Sequence, residues 1–364
     1  MLSQTVQITS QSLIQRYWIS SSGSSCRVID PAGVATTVSC NQQLPFLCTQ
    51  SAPFSNSTYA DNSVDWQIEV QSGSQAITGY RDRATFRFLG VRYAEQPERF
   101  TYSQIFDGPG SQSAIAFGSE CTQAYNLGGT EDCLFLNIFT AYVPKANTTS
   151  PASQLKPVMF YIHGGGFIVG AGSASEYDGG NLASRGDVVV VTINYRLGAF
   201  GYLALDDGLT NGNFGLSDQI TALDWVMANI ASFGGDPAQI TIFGQSAGAL
   251  SVTAFLRSPK AIGKFAAAMP MSNLAGLGIA ANYENYPSIA TMATLMEPLL
   301  AATECTNATS QVECLRAAEA SKIGIYGSNA VYVSSYHRAF ADYTDYQLDT
   351  WSSMARTSTL AALS

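Results

Sequence analysis

Charge is scarce in this chain of 364 residues: Asp, Glu, Lys and Arg together make up 12%, about half the roughly 25% usual in globular proteins. What charge there is leans acidic, with 27 Asp and Glu against 18 Lys and Arg and a net charge of -9. Basic residues form no stripe or cluster, which argues against a nucleic-acid partner held by phosphate contacts. An anionic membrane surface would repel the chain on average. Long hydrophobic runs are missing as well, and none approaches the ~18 residues that span a bilayer. Residues 1–20 have neither the basic start nor the apolar middle of a secretory signal. Histidine is nearly absent, with two in all, His163 and His337. No Cys/His cluster has ligand spacing, so no metal or organic cofactor is expected. Against these scarcities, hydrophobic residues reach 46%, enough to build the core of one large domain or two smaller ones.

Seven Cys are present, which is many for a reducing compartment. Cys26, Cys40 and Cys48 fall in residues 1–64, a stretch rich in Ser, Thr, Gln and Asn. Their odd number leaves one unpaired, or paired outside the segment. Asn56, Asn147 and Asn307 each head an Asn-x-Ser/Thr acceptor. Together these features point to an extracellular protein whose natural start is not Met1.

From about Asp65 the pattern changes. Trp66 to Val70 alternates like an edge strand, and Phe86 to Ala94 follows it. A buried strand begins within Glu131 to Ile138, where the charges stop. Three strong apolar runs come next: Pro157 to His163, Asp187 to Asn194 and Gln239 to Phe243. Continuous apolar runs mean burial on both faces, as in a mainly parallel sheet. Between the last two, Ile220, Leu223, Met227 and Ile230 lie at helical spacing, predicting a helix from Ser217, as its cap, to about Phe233. Phe265 to Ser272 reads as a further strand, 291–302 and 311–320 as helices, and Ala330 to Ser334 as a last strand. The alternation is that of an α/β fold.

Gln239 to Gly248 is the stretch around which the rest is organised. It reads as a strand, a sharp turn with Ser246 at its tip, and a helix, with Gly244, Ser246 and Gly248 forming G-x-S-x-G. Such a turn presents a serine hydroxyl above a sheet as a nucleophile. Its glycines leave room where a side chain would meet backbone. The amide of Ala247 then points, with the helix dipole, at the place where negative charge would develop. The run His163-Gly-Gly-Gly-Phe167 ends an earlier strand. Glycines there let the amides of Gly165 and Gly166 turn toward one point beside that of Ala247. Each well-placed donor is worth about 3 kcal/mol to an anionic transition state.

These motifs resemble those of the type-B carboxylesterases, the cholinesterase-like branch of the α/β-hydrolases, and most of all its secreted fungal members. The resemblance rests on Glu131 to Asn137, Asn194 to Gly201, Asn213 to Gln219, Phe233 to Pro237 and Phe243 to Gly248, and it runs from roughly Asp65 to Arg316. It implies an α/β-hydrolase fold, a mainly parallel sheet with helices on both faces, and three segments: a Cys-containing N-terminal segment 1–64, a partial hydrolase domain 65–320 and a divergent tail 321–364. It implies an ester hydrolase of the carboxylesterase and lipase type, acting on a small-molecule ester or lipid. Ser246 would be the acyl-ester nucleophile, and Gly165, Gly166 and Ala247 the oxyanion hole. It also implies the disulfides Cys121–Cys133 and Cys305–Cys314. Gln245 stands where many members carry Glu, as in fungal lipases.

A serine hydroxyl needs a base, and in this fold the order is Ser, acid, His. His163 precedes Ser246 and belongs to the glycine loop, which it is expected to support. His337 is the only His after the serine, with Glu284, Glu297, Glu304, Glu313 and Glu319 between. Order alone permits a triad with His337. The resembling family carries its His farther past the serine than this chain extends, and only one strand candidate follows residue 272. The sequence therefore reads as truncated at its C-terminus, with the acid and base beyond Ser364 and little activity in the chain by itself.

Overall fold

The computed structural model describes residues 16–22, 25–30, 32–42, 44, 61–144, 154–273 and 288–335. The chain divides into two compact units, residues 1–51 and 52–364. In the first, β1 (Tyr17–Ser22), β2 (Ser25–Ile29) and β3 (Ala35–Val38) form an antiparallel sheet in that order. Trp18, Cys26 and Val28 make its small core. Cys26 pairs with Cys40 across β2 and the end of β3, while Cys48 lies outside the described residues.

The second unit is built on nine strands among the described residues. An antiparallel run opens it: β4 (Gln67–Ser72), β5 (Gln75–Asp82) and β6 (Thr85–Arg92), with β7 (Gly110–Ser113) parallel to β5. The strands β8 (Phe135–Thr140), β9 (Lys156–Ile162), β10 (Val189–Ile193), β11 (Gly235–Gln245) and β12 (Ala267–Met271) follow. Their order is β12-β11-β9-β10-β8-β6-β5-β4. The sheet is mixed. Pairings from β4 through β8 to β10 are antiparallel, and those joining β10, β9, β11 and β12 are parallel. The three strong apolar runs of the sequence are adjacent in the parallel half, where every residue of β10 is buried. Two-sided burial explains their lack of polar alternation. β12 ends the described sheet on that side, and Met269 in it is 43% exposed.

Helices cover the parallel half. α1 (Gly180–Gly186) and α2 (Gly198–Tyr202) are short, and α3 (Phe214–Asn229) buries Ile220, Leu223, Trp225 and Val226. A 3-10 turn, Ile230–Phe233, extends α3 to Gly234, whose φ of 85° ends it. The expected cap at Ser217 is not one. α3 starts three residues earlier, after Asn213 at φ 58°, and Ser217 sits in the first turn with its amide bonded to the Asn213 carbonyl at 2.9 Å. Burial of Phe214 carries the helix back past a residue whose local preference is to cap. α4 (Ala247–Arg257) follows Ser246. α5 (Ile289–Leu295) and α6 (Glu297–Ala302) are separated at Met296, with Pro in the first turn of α6. α7 (Gln311–Ala317) leads to α8 (Ala320–Ser335).

The expected strand at Ala330 to Ser334 is overturned, because these residues lie inside α8. Its valines favour strand locally, but that preference is weak against packing. Ile323 is fully buried, and a Cβ at Gly327 would lie 2.4 Å from that of Ala199, so α8 packs closely on α2 at Gly327.

Candidate active site

β9 and β11 are neighbours in the sheet although 72 residues of chain separate their ends, with Gly244 opposite Ile162. Both strands point the same way, so the loop after β9 and the turn after β11 emerge side by side. This is the carboxyl end of a parallel sheet, where such folds place their ligands. A Cβ on Gly164 would lie 2.7 Å from the Gln245 carbonyl oxygen and 3.3 Å from Cβ of Ser246. The glycine loop and the serine turn are therefore in contact.

Ser246 has φ 56° and ψ −117°. A non-glycine residue held there costs on the order of 1–3 kcal/mol, and such strain persists only where surrounding structure enforces it. The enforcement is visible. The Ser246 amide donates to Met271 of β12 at 3.1 Å, and its carbonyl accepts from Leu250 at 3.1 Å inside α4. Space is equally constrained. A Cβ at Gly244 would come 2.6 Å from the Gly248 carbonyl carbon, and one at Gly248 2.0 Å from the Ile162 oxygen. Both glycines are thus required by the approach of α4 to β9 and β11. Ser246 is half-buried, and Gln245 beside it is exposed.

Gly165 and Gly166 are half-buried, with φ 109° and 61°; Ala247 is buried at the N-terminus of α4. The Gly165 carbonyl accepts from both Ile168 and Val169 at 3.1 Å, which closes the loop into a tight turn. Among the described residues, no backbone carbonyl outside the regular elements takes the amides of Gly165, Gly166 or Ala247.

His163 is buried, and its ring stacks on Tyr195 at 4.3 Å. Nδ1 lies 2.7 Å from the Gly164 carbonyl oxygen, and the Tyr195 hydroxyl donates to the His163 carbonyl at 2.9 Å. Burial pushes this imidazole down to about 4, so it is neutral at physiological pH. Its ring thus lies against the glycine loop, at the Gly164 carbonyl. His337 and Glu284 lie outside the described residues. Glu297, Glu304, Glu313 and Glu319 are all exposed, and Glu313 pairs with Arg316 at 2.5 Å.

Two further features were not assigned from sequence. Arg196 and Asp218 form a buried two-pronged ion pair, both contacts at 2.7 Å, with the Arg196 amide also donating to Asp218 at 3.1 Å. It ties the segment after β10 to the second turn of α3. α3 also carries Ser217, Gln219, Thr221 and a second carboxylate, Asp224, so nothing in the sequence singled Asp218 out. The other is Gln123, whose side chain bonds to Gly170 past the glycine loop; a polar residue in a loop carries no signal either. Cys121 pairs with Cys133, and Cys305 with Cys314. Asn307 is exposed within the second disulfide loop, whereas Asn56 and Asn147 lie outside the described residues.

Residues 68–348 match the carboxylesterase family. The chain is 40% identical over 210 residues to a para-nitrobenzyl esterase of Bacillus subtilis, covering 52% of this chain and 40% of that one. It is 42% identical over 203 residues to a bile salt-activated lipase of Mus musculus, covering 52% and 32%. Among solved structures, a carboxylesterase of Geobacillus stearothermophilus superposes with a TM-score of 0.62 at 35% identity, over 73% of this chain and 54% of that one. The chain thus spans about half, or less, of the length of these relatives. The superposition identifies the α/β-hydrolase fold. Since the matched region runs from β4 through α8 and takes in both loops that meet at Ser246, this chain belongs to the carboxylesterase family.

Proposed function

We propose that the protein hydrolyses carboxylic esters through an acyl-enzyme on Ser246, with the amides of Gly165, Gly166 and Ala247 as the oxyanion hole. The observation that carries the reading is the contact between the two loops. A strained serine at a helix N-terminus touches a glycine turn whose amides, among the described residues, go to no backbone carbonyl outside the regular elements. In the first step Ser246 Oγ attacks the ester carbonyl, and its proton passes to a base. The carbonyl electrons move onto oxygen, where the three amides receive them. Collapse expels the alcohol and leaves an ester on Ser246. Water attacks that ester by the same route and frees the acid. Small-molecule esters and lipids are the substrate class. Within the family the chain resembles the secreted fungal members, and Gln245 before the serine is compatible with their lipases. Three disulfides support an extracellular location, with exposed Asn307 as a glycan acceptor.

A second reading is favoured by one observation. His163 is the only imidazole among the described residues, and its ring stacks on Tyr195 with Nδ1 at the Gly164 carbonyl. On this reading the chain by itself holds nucleophile and donors without a working base and does not turn over. Loss of the His from a serine triad costs roughly 10⁶ in rate. Labelling by a fluorophosphonate, alongside hydrolysis of a short-chain aryl ester, separates the two. Fast labelling that is lost in Ser246→Ala and in His337→Ala supports the hydrolase with His337 as base. Slow labelling unaffected by His337→Ala supports the second reading. Labelling unaffected by Ser246→Ala would overturn the assignment of the nucleophile.

A further inference from the structure

Outside the serine turn, Gln123 is a polar side chain near the glycine loop that makes three hydrogen bonds. It lies two residues after Cys121 and is buried. Its amide nitrogen donates to the Cys121 carbonyl at 2.8 Å and to the Gly170 carbonyl at 3.0 Å. Its amide oxygen accepts from the Gly170 N–H at 2.7 Å. The side chain thus pairs with both backbone groups of Gly170, as a neighbouring strand would, and its second donor hydrogen anchors that pairing to the disulfide loop. Next to it, the Ala124 amide donates to the Ile168 carbonyl at 2.8 Å. Two successive residues of the disulfide loop therefore grip residues 168–170.

Gly170 is in turn the far wall of the glycine loop. A Cβ there would lie 2.6 Å from Nδ1 of His163 and 2.7 Å from the Gly164 carbonyl oxygen. From the other side, the Gly198 amide donates to the Phe167 carbonyl at 2.8 Å. Glycines have no side chains with which to fix their own direction. The aim of the Gly165 and Gly166 amides therefore depends on what holds the ends of the loop. His163 holds the first end, and Gln123 holds the last.

We propose that Gln123 is a positioning residue for the oxyanion loop: its side-chain amide ties Gly170 to the Cys121–Cys133 loop and so sets the direction of the Gly165 and Gly166 donors toward Ser246. The proposal rests on the reading of this loop as an oxyanion hole. It requires an amide at position 123. A carboxylate of the same shape still accepts from the Gly170 N–H but sets negative oxygen against the Gly170 and Cys121 carbonyls.

The test compares the full chain with Gln123→Glu and Gln123→Ala by two measurements. Amide hydrogen exchange by mass spectrometry is followed in peptides covering 164–170, with peptides from β5 and β6 as the reference. Ser246 labelling by a fluorophosphonate is resolved into its maximal rate and its half-saturating concentration. Both variants should exchange about tenfold faster or more at 164–170 with the reference peptides unchanged. Their maximal labelling rate should fall about 10- to 100-fold, part of the 10²–10³ that a whole donor is worth, with half-saturation within twofold. Unaltered exchange at 164–170 overturns the proposal whatever happens at Ser246. Faster exchange with an unaltered labelling rate also overturns it, since the tie would then have no bearing on the donors. Faster exchange spread over β5 and β6 would mark Gln123 as a general fold contact and reject a positioning role. If Ser246→Ala labels as the parent chain does, the nucleophile assignment fails separately, and exchange alone decides whether Gln123 holds the loop.

Discussion

Adding one methyl group at Gly248 is the most direct probe of how closely the serine turn is packed. Position 248 lies in the first turn of α4, where Ala is worth up to about 1 kcal/mol over Gly by helix propensity. Against that gain stands the geometry. The new Cβ would lie 2.0 Å from the Ile162 carbonyl oxygen and 3.0 Å from that of His163. A carbon and an oxygen need about 3.3 Å, so more than 1 Å must be found between backbone groups that no side-chain rotation can move. Overpacking of this kind costs roughly 1–3 kcal/mol, and the upper end applies when both walls are backbone. The net loss is about 2 kcal/mol, or roughly 4–8 °C in melting temperature for a domain of a couple of hundred residues. Gly324→Ala in α8 is the control. Its nearest neighbours would be 3.4 and 3.5 Å away, at the Gln123 oxygen and a Thr122 methyl, which is ordinary contact. There the propensity gain stands, and stability should hold or rise by about 0.5 kcal/mol. Thermal and urea unfolding of the three proteins followed by circular dichroism measure the difference. If Gly248→Ala is no less stable than Gly324→Ala, then α4 does not approach β9 as described, and the steric account of the glycine fails.

The His163 imidazole titrates near 4 when folded, below its ordinary 6.5, because burial disfavours its charge. Its contribution to stability is therefore complete above pH 6.5 and lost progressively as pH falls toward 4, roughly 3 kcal/mol in all. Urea unfolding across that window should show a slope one proton shallower in His163→Gln than in the parent chain; equal slopes would contradict the burial. Asp218→Asn should cost about 3–5 kcal/mol, because it strands the buried Arg196 charge; a loss within 1 kcal/mol, read in the same unfolding assay, would show that water reaches that pair. Peptide mapping without reduction should find Cys121 joined to Cys133 and Cys305 to Cys314, each short loop contributing on the order of 3 kcal/mol. Free thiols at all four would remove the disulfides and the main argument for an oxidising compartment.

The sequence by itself determined what depends on short-range sterics. Gly244, Ser246 and Gly248 announce a sharp turn because a Cβ at either glycine would meet backbone. The apolar runs at β9, β10 and β11 announce a largely buried sheet, because continuous apolar side chains gain from burial on both faces. The start of α3 was legible only to within a turn, since Ser217 caps well locally while Phe214 gains more by burial. Ala330 to Ser334 was not legible as helix at all, because it continues a helix that packs at Gly327 on α2, more than a hundred residues away in the chain. The same holds for the site. Glycine loop and serine turn could each be named from the sequence, but their contact follows from strand order, which sets β11 beside β9 and moves β10 to the other side. Tertiary structure alone also turned His163 into the core and joined Arg196 to Asp218 and Gln123 to Gly170. A polar side chain's preference for a partner is written in the sequence, whereas the identity of a partner 22 or 47 residues away is fixed only when the chain between them has folded.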